Sequence, residues 1–401
     1  MSVQLSELLS ETIEVTRNST TGSLDNTKRT RGINRVLEDL QDFADWEFTK
    51  RSKEFDFISG VTEYSLLNHI SASCLDNDGS TSITDFKNPY SLILKSRSNK
   101  PFSYEEVKTV RENIGRGRTV NQYSVDNDLL VVNYPEQSSA QLHNCDSLTA
   151  NGTVAVSGDA SNLTIDTVEY DEGSGALNFD VVAGTSLVVT FTGISAKDLT
   201  TLQNKSYLTL KAWLPTITNF TSIKARWGSS ASDYWEKTET VPAGSRELKT
   251  GRNIFAFKWG SATETGTPDV TAIDYVQITL TYSGATTDTD FRIDDIRIAG
   301  AVEMELNYYS LAMVKTAAGT YQLEFNPDSV TMDDELLGGS TARRCVVEGV
   351  KHELFDMIGG KSERDRTDSF TKYNQKKIDL LKRAGHRIRR PSQVLNFPSG
   401  R

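Results

Sequence analysis

The chain has 401 residues, 24% charged and 37% hydrophobic, with a net charge of −10. That is more chain than one hydrophobic core usually serves, so two or three domains are expected. No apolar run approaches the roughly 20 residues of a membrane span, and the opening MSVQLSELLSETIEV has acids where a secretory signal carries a basic head and an apolar stretch. Synthesis in a reducing cytoplasm is the expectation. Cys74, Cys145 and Cys345 are odd in number and widely spaced, which argues against a disulfide framework and a zinc site.

In chain order, Val3, Leu5, Leu8, Leu9 and Ile13 open with rough helical spacing, and a polar stretch, NSTTGSLDNT, follows. Ile33, Val36, Leu37, Leu40 and Phe43 then form an amphipathic stripe that predicts a second helix ending near Trp46. Beyond it the period shortens to alternation through Phe55, Phe57, Val61, Tyr64 and Leu66, which predicts strands around a turn at Gly60. SLILKS reads as a strand, YEEVKTVREN as a helix, and NDLLVVNYP as a strand stopped by Pro135.

From 141 to 300 the composition shifts to Thr, Ser, Gly, Val and aromatics. ALNFDVV, SLVVTFTGI, SYLTLKAWLP, SIKARWG, RNIFAFKWG, DYVQITLTY and FRIDDIRI follow one another with turn residues between them. Many short strands without an intervening helix predict an all-β sandwich of jelly-roll size. From 301 onward a strand, AVEMELNYY, precedes two helical stripes: Val346, Val350, Leu354 and Ile358, then Phe370, Tyr373, Lys377 and Leu381. This predicts a helical hairpin. LLVVNYP and VEMELNYY share one alternation and are expected to pair. The fold class expected is therefore α+β, in three parts: 1–140 and 301–401 as a discontinuous host domain, and 141–300 as a sandwich inserted at a loop tip.

Chemistry is sparse. His69, His143, His352 and His386 stand in no metal-binding or nucleophile motif, and no phosphate-binding glycine motif is present, so no enzyme activity is expected. Asp294 and Asp295 in FRIDDIRIAG fit a structural calcium ion, with Asp146, Asp171 and Glu172 as further oxygen donors; Asp146 and Asp295 are the central pair of that expectation. The same acids also fit a strand with one carboxylate in water and one capping a turn. Trp213 in LTLKAWLP reads as buried, whereas Tyr234 and Trp235 in the polar SSASDYWEK read as exposed and able to stack on a sugar ring. The charge is also uneven. From Thr341 to Arg401 there are 15 Lys or Arg against 7 Asp or Glu, leaving −18 on the rest of the chain. A basic end fits a charged contact in an assembly, and equally a solvated helix face.

The flanking parts together resemble the head-to-tail adaptor (connector) proteins of tailed bacteriophages. RVLEDLQDFADWEF resembles that family's helix ending in a Trp, and SKEFDFISGVTEYSL its strand, Gly turn and Tyr-x-Leu segment. LLVVNYPEQ and VEMELNYYS resemble its paired strands, and MDDELLGGSTARRCVVEGVKHELFDMIGGKSERDRTDSFTKYNQKKIDLL its closing helical pair. A large inserted sandwich is a departure from many such adaptors. The insert is similar to jelly-roll carbohydrate-binding modules, with ALNFDVV early and FRIDDIRI late.

The resemblance implies a structural virion protein of the neck, made in the host cytoplasm and placed at the portal vertex. Copies would form a closed ring of about twelve subunits that continues the DNA channel without reading sequence. The portal protein and the tail or nozzle proteins are the implied partners, with surface glycan as a further partner of the sandwich. The basic end HRIRRPSQVLNFPSGR is expected to dock on the portal through Arg387, Arg389 and Arg390, anchored by Val394, Leu395 and Phe397. An alternative reading is a virion-associated, carbohydrate-binding adhesive protein that acts through the sandwich.

Overall fold

The computed structural model describes residues 3–16, 25–66, 83, 85–95, 97–118, 120–127, 129–135, 137–240, 248–327, 333–354 and 363–383. In chain order the strands and helices are β1 (Val3–Gln4), α1 (Leu5–Thr16), α2 (Asn26–Phe43), β2 (Lys50–Ile58), β3 (Glu63–Ser65), β4 (Phe86–Leu94), β5 (Arg97–Pro101), β6 (Ser103–Tyr104), α3 (Val107–Gly115), β7 (Gln122–Asp126), β8 (Leu129–Asn133) and β9 (Ser139–His143). The β-rich middle continues with β10 (Thr153–Gly158), β11 (Ala160–Asp166), β12 (Ala176–Lys197), β13 (Ser206–Leu214), β14 (Phe220–Gly228), β15 (Tyr234–Thr240), β16 (Gly251–Lys258), β17 (Thr263–Thr265) and the long β18 (Ile273–Ser310). The chain then runs through β19 (Val314–Lys315), β20 (Tyr321–Gln322), β21 (Glu335–Leu336), α4 (Gly339–Glu353) and α5 (Glu363–Arg383).

Two compact units form. One comprises Met1–Ser52, Asp85–Tyr90 and Asn307–Arg401, and the other Lys53–Thr84 and Ser91–Leu306. These boundaries differ from the expected 140 and 300, because β2, β4 and β18 each give residues to both units. Composition does not change where a strand simply continues.

In the first unit, Asp25 caps α2 by accepting the Lys28 N–H at 2.8 Å. Ile33, Val36, Leu37 and Leu40 are buried, as their spacing predicts, while Phe43 at the end of the stripe is exposed. The Trp46 indole N–H donates to the Leu40 carbonyl at 2.8 Å and its ring stacks on Phe48, so the helix exit is fixed by side-chain contacts. The α4–α5 hairpin packs on α2 with Gly349 at the crossing. A Cβ there would lie 2.6 Å from Val36 and 2.7 Å from Tyr373. Tyr373 and Lys377 both donate to Asp39, at 2.5 and 2.8 Å. A short sheet in the order β1, β21, β19, β20 completes this unit.

The second unit holds a small sheet in the order β3, β8, β7, β6. Here the expected pairing of LLVVNYP with VEMELNYY fails. β8 lies between β3 and β7, whereas VEMELNYY belongs to β18. A short hairpin joins Asp126 to Leu129 with Asn127 at φ 54°, so the nearest strand in sequence takes the site. Alternation specifies which face a strand buries and leaves its neighbour open.

The rest of this unit is the sandwich. In one sheet Leu187 to Thr192 of β12 lies between β10 and the start of β18, which pairs in turn with β14, β15 and β17. In the other, Leu177 to Phe179 of β12 lies between β11 and Phe291 to Ile293 of β18, which pairs with β13 and then β16. β12 and β18 thus pass through both sheets, with register shifts at the bends. Phe179, Phe191, Trp227, Phe255, Phe257, Trp259 and Phe291 fill the core between them. The α+β class with a β-sandwich is therefore present.

A candidate ligand cleft on the sandwich

β13 alternates strictly at its end: Leu208, Leu210, Ala212 and Leu214 are buried, and Thr209, Lys211 and Trp213 point the other way. Trp213 is 36% exposed, whereas the other four tryptophans are 5% or less. This corrects the expected burial of Trp213, whose phase matches Lys211 rather than the leucines. Its register partners are Arg252 on β16 and Arg292 on β18, so an indole sits between two guanidiniums on three adjacent strands. Two residues along, on the same face, Lys211 pairs with Asp294.

A strap, residues 167–175, joins β11 to β12 over this row. Val168, Glu169, Tyr170 and Asp171 from the strap and Lys211, Trp213, Arg252, Arg292 and Asp294 from the sheet line one cavity of about 340 Å³. Asp294 anchors the strap. Its Oδ2 accepts the backbone N–H groups of Asp171 and Glu172 at 2.7 and 3.0 Å. Among the described residues its Oδ1 is buried with no hydrogen-bond partner. Burial pushes the Asp294 carboxyl above the usual range, against the pull of those N–H groups.

Acids of the strap and of the flanking strands β11 and β18 reach the sheet's cations. Asp171 pairs with Arg252 at 2.7 Å, Asp166 and Asp290 with Arg292 at 2.8 and 2.5 Å, and Glu169 also with Arg292. Glu172 accepts from Arg297 at 2.8 Å. The Arg292 guanidinium stands 5.4 Å from the Trp213 ring. Around the cleft these residues, with Lys211, Asp294 and Asp295, give four cations against seven carboxylates.

The expected sugar-stacking pair is not a paired surface. Trp235 is buried on β15 opposite Trp227, with its ring 5.0 Å from Trp259. Tyr234 is half-buried, with the Arg226 guanidinium over its ring. Neighbouring strand residues face opposite sides, so the two cannot share one surface.

The acids of the calcium expectation have other partners in this structure. Asp295, at φ 50°, turns its carboxylate away from that of Asp294 towards Lys211 at 3.0 Å and Arg297 at 2.8 Å. Burial opposes its ionisation, yet those two cations hold it below the usual carboxylate range. Asp146 instead accepts the N–H groups of Ser174 and Gly175 at 2.6 and 2.8 Å, at the far end of the strap. Among the described residues no group of three or more His, Cys, Asp or Glu could hold a metal ion. The expected portal-docking residues, Arg387, Arg389, Arg390, Val394, Leu395 and Phe397, lie outside the described residues. No described helix is long and apolar enough to cross a membrane.

No family model matches the sequence, and no curated protein matches it. Among solved structures the chain is similar to a family 11 carbohydrate-binding module from Clostridium thermocellum in complex with a β-1,3-1,4-mixed-linked tetrasaccharide. The identity is 11% and the TM-score 0.29, over 40% of this chain and 95% of that one. It is also similar to a family 30 carbohydrate-binding module of a Clostridium thermocellum cellulosomal cellulase, at 13% identity and TM-score 0.30, over 40% and 97%.

Proposed function

We propose that this chain is a structural subunit of a tailed-bacteriophage head-to-tail adaptor. Copies form a ring of about twelve subunits between portal and tail, continue the DNA channel, and contact the portal protein and the tail or nozzle proteins. The observation that supports this reading is the meeting of distant, resemblance-bearing segments in one core. The α2 stripe and Trp46 pack with Val346, Val350, Leu354, Tyr373 and Leu380. Asp39 and Tyr373 are bonded across 334 residues of chain. Such a discontinuous helical unit is what the resemblance implies for a host domain carrying an insert. Mixing the purified chain with the portal protein of the same particle tests the reading: stacked rings are expected, and a chain that never associates with the portal contradicts it.

The cleft favours a second and compatible reading, a saccharide site on the sandwich. An exposed indole rimmed by charged side chains in one cavity suits a sugar ring, whose apolar face stacks while its hydroxyls hydrogen-bond. Trp213→Ala is expected to abolish glycan binding by the folded protein, as read on a glycan array. Binding that survives this substitution contradicts the second reading.

A further inference from the structure

Resting on the saccharide reading of the cleft, we propose that Glu169 and Asp171 are specificity determinants that restrict the Trp213 platform to uncharged saccharides and keep uronates out. Arg252 and Arg292 flank Trp213 in register, so a ring stacked on the indole directs its substituents towards a guanidinium on either side. Two free guanidiniums in that position would form a bidentate receptor for a sugar carboxylate. They are not free. Asp171 holds Arg252, and Glu169 holds Arg292 together with Asp166 and Asp290. With seven carboxylates to four cations around the cleft, a uronate would have to displace a strap acid inside a negative field. A neutral hydroxyl brings no charge into that field and need not compete with the strap acids for the guanidiniums.

The strap does not depend on these two side chains for its place. Backbone N–H groups of residues 171, 172, 174 and 175 bind Asp294 and Asp146. Removing the two charges therefore frees the Arg252 guanidinium and Nη1 of Arg292, whose other nitrogens stay with Asp166 and Asp290, while the backbone anchors remain.

The test uses the full chain on an array of neutral and uronate-containing saccharides, comparing wild type with the Glu169→Gln/Asp171→Asn double variant. Wild type is expected to bind neutral members only. The variant is expected to gain uronate binding by about tenfold or more, and that gain should vanish at high salt. Uronate binding by wild type overturns the proposal and leaves the saccharide reading standing. A variant that unfolds like wild type and gains no uronate binding also overturns it. If the variant does not fold, the wild-type comparison still decides. Silence of wild type across the whole array, or binding that persists in Trp213→Ala, overturns the saccharide reading of the cleft and the proposal with it.

Discussion

Gly349 stands where α2, α4 and α5 meet, and the space there is smaller than a methyl group. Gly349→Ala would ordinarily favour a helix by about 1 kcal/mol, but here the added Cβ forces Val36 and Tyr373 apart. A net loss of about 1–3 kcal/mol is expected, read as a lower denaturant midpoint at unchanged slope. Trp213 gives an optical prediction. As the one tryptophan exposed beyond 5%, it should carry the iodide-quenchable fluorescence, and Trp213→Phe should abolish that component while leaving the thermal midpoint nearly unchanged. Quenching that persists would place another indole at the surface. Glu239 on β15 has a third consequence. Burial pushes its carboxyl from the ordinary 4.5 up to about 7, opposed by Lys237. Between those values the folded state holds a proton that the unfolded state has lost, so this residue makes stability fall as pH rises through the window. Glu239→Gln is expected to flatten that slope in denaturation curves between pH 5 and 8.

At the scale of elements, the turn after β2 depends on one side chain. The Tyr64 hydroxyl accepts the Ile58 N–H at 2.7 Å and donates to the Val61 carbonyl at 3.1 Å, with the ring against Phe55 and Phe57. Tyr64→Phe leaves that N–H buried and unpaired and should cost about 1–3 kcal/mol. A cost near zero by chemical denaturation would contradict this account of the turn. Periodicity made much of this scale legible. The α2 stripe, the hairpin of α4 and α5, and the strands of the sandwich core were all readable from apolar spacing. β10, β11, β15 and β17 were not, because they are short, rich in Ser and Thr, and bury few side chains. The cleft was half legible. Trp213 shares a phase with Lys211, a signal present in LTLKAWLP, but its partners Arg252 and Arg292 are joined to it only by cross-strand register. Tyr170 and Asp171 come from a segment with no periodic pattern at all.

For the whole molecule, a discontinuous unit rich in helices and a unit containing the sandwich divide one chain. Folding of the first unit has to bring α2 together with helices more than 300 residues away, and such non-local closure slows folding. The adaptor reading assigns assembly to that unit and ligand contact to the sandwich. The measurement that tests this most directly is a cryo-EM reconstruction of the portal vertex of the particle. The account predicts density for this chain as a ring apposed to the portal. Density for the chain only on fibres or on the capsid shell, or its absence from the particle, would contradict the adaptor reading.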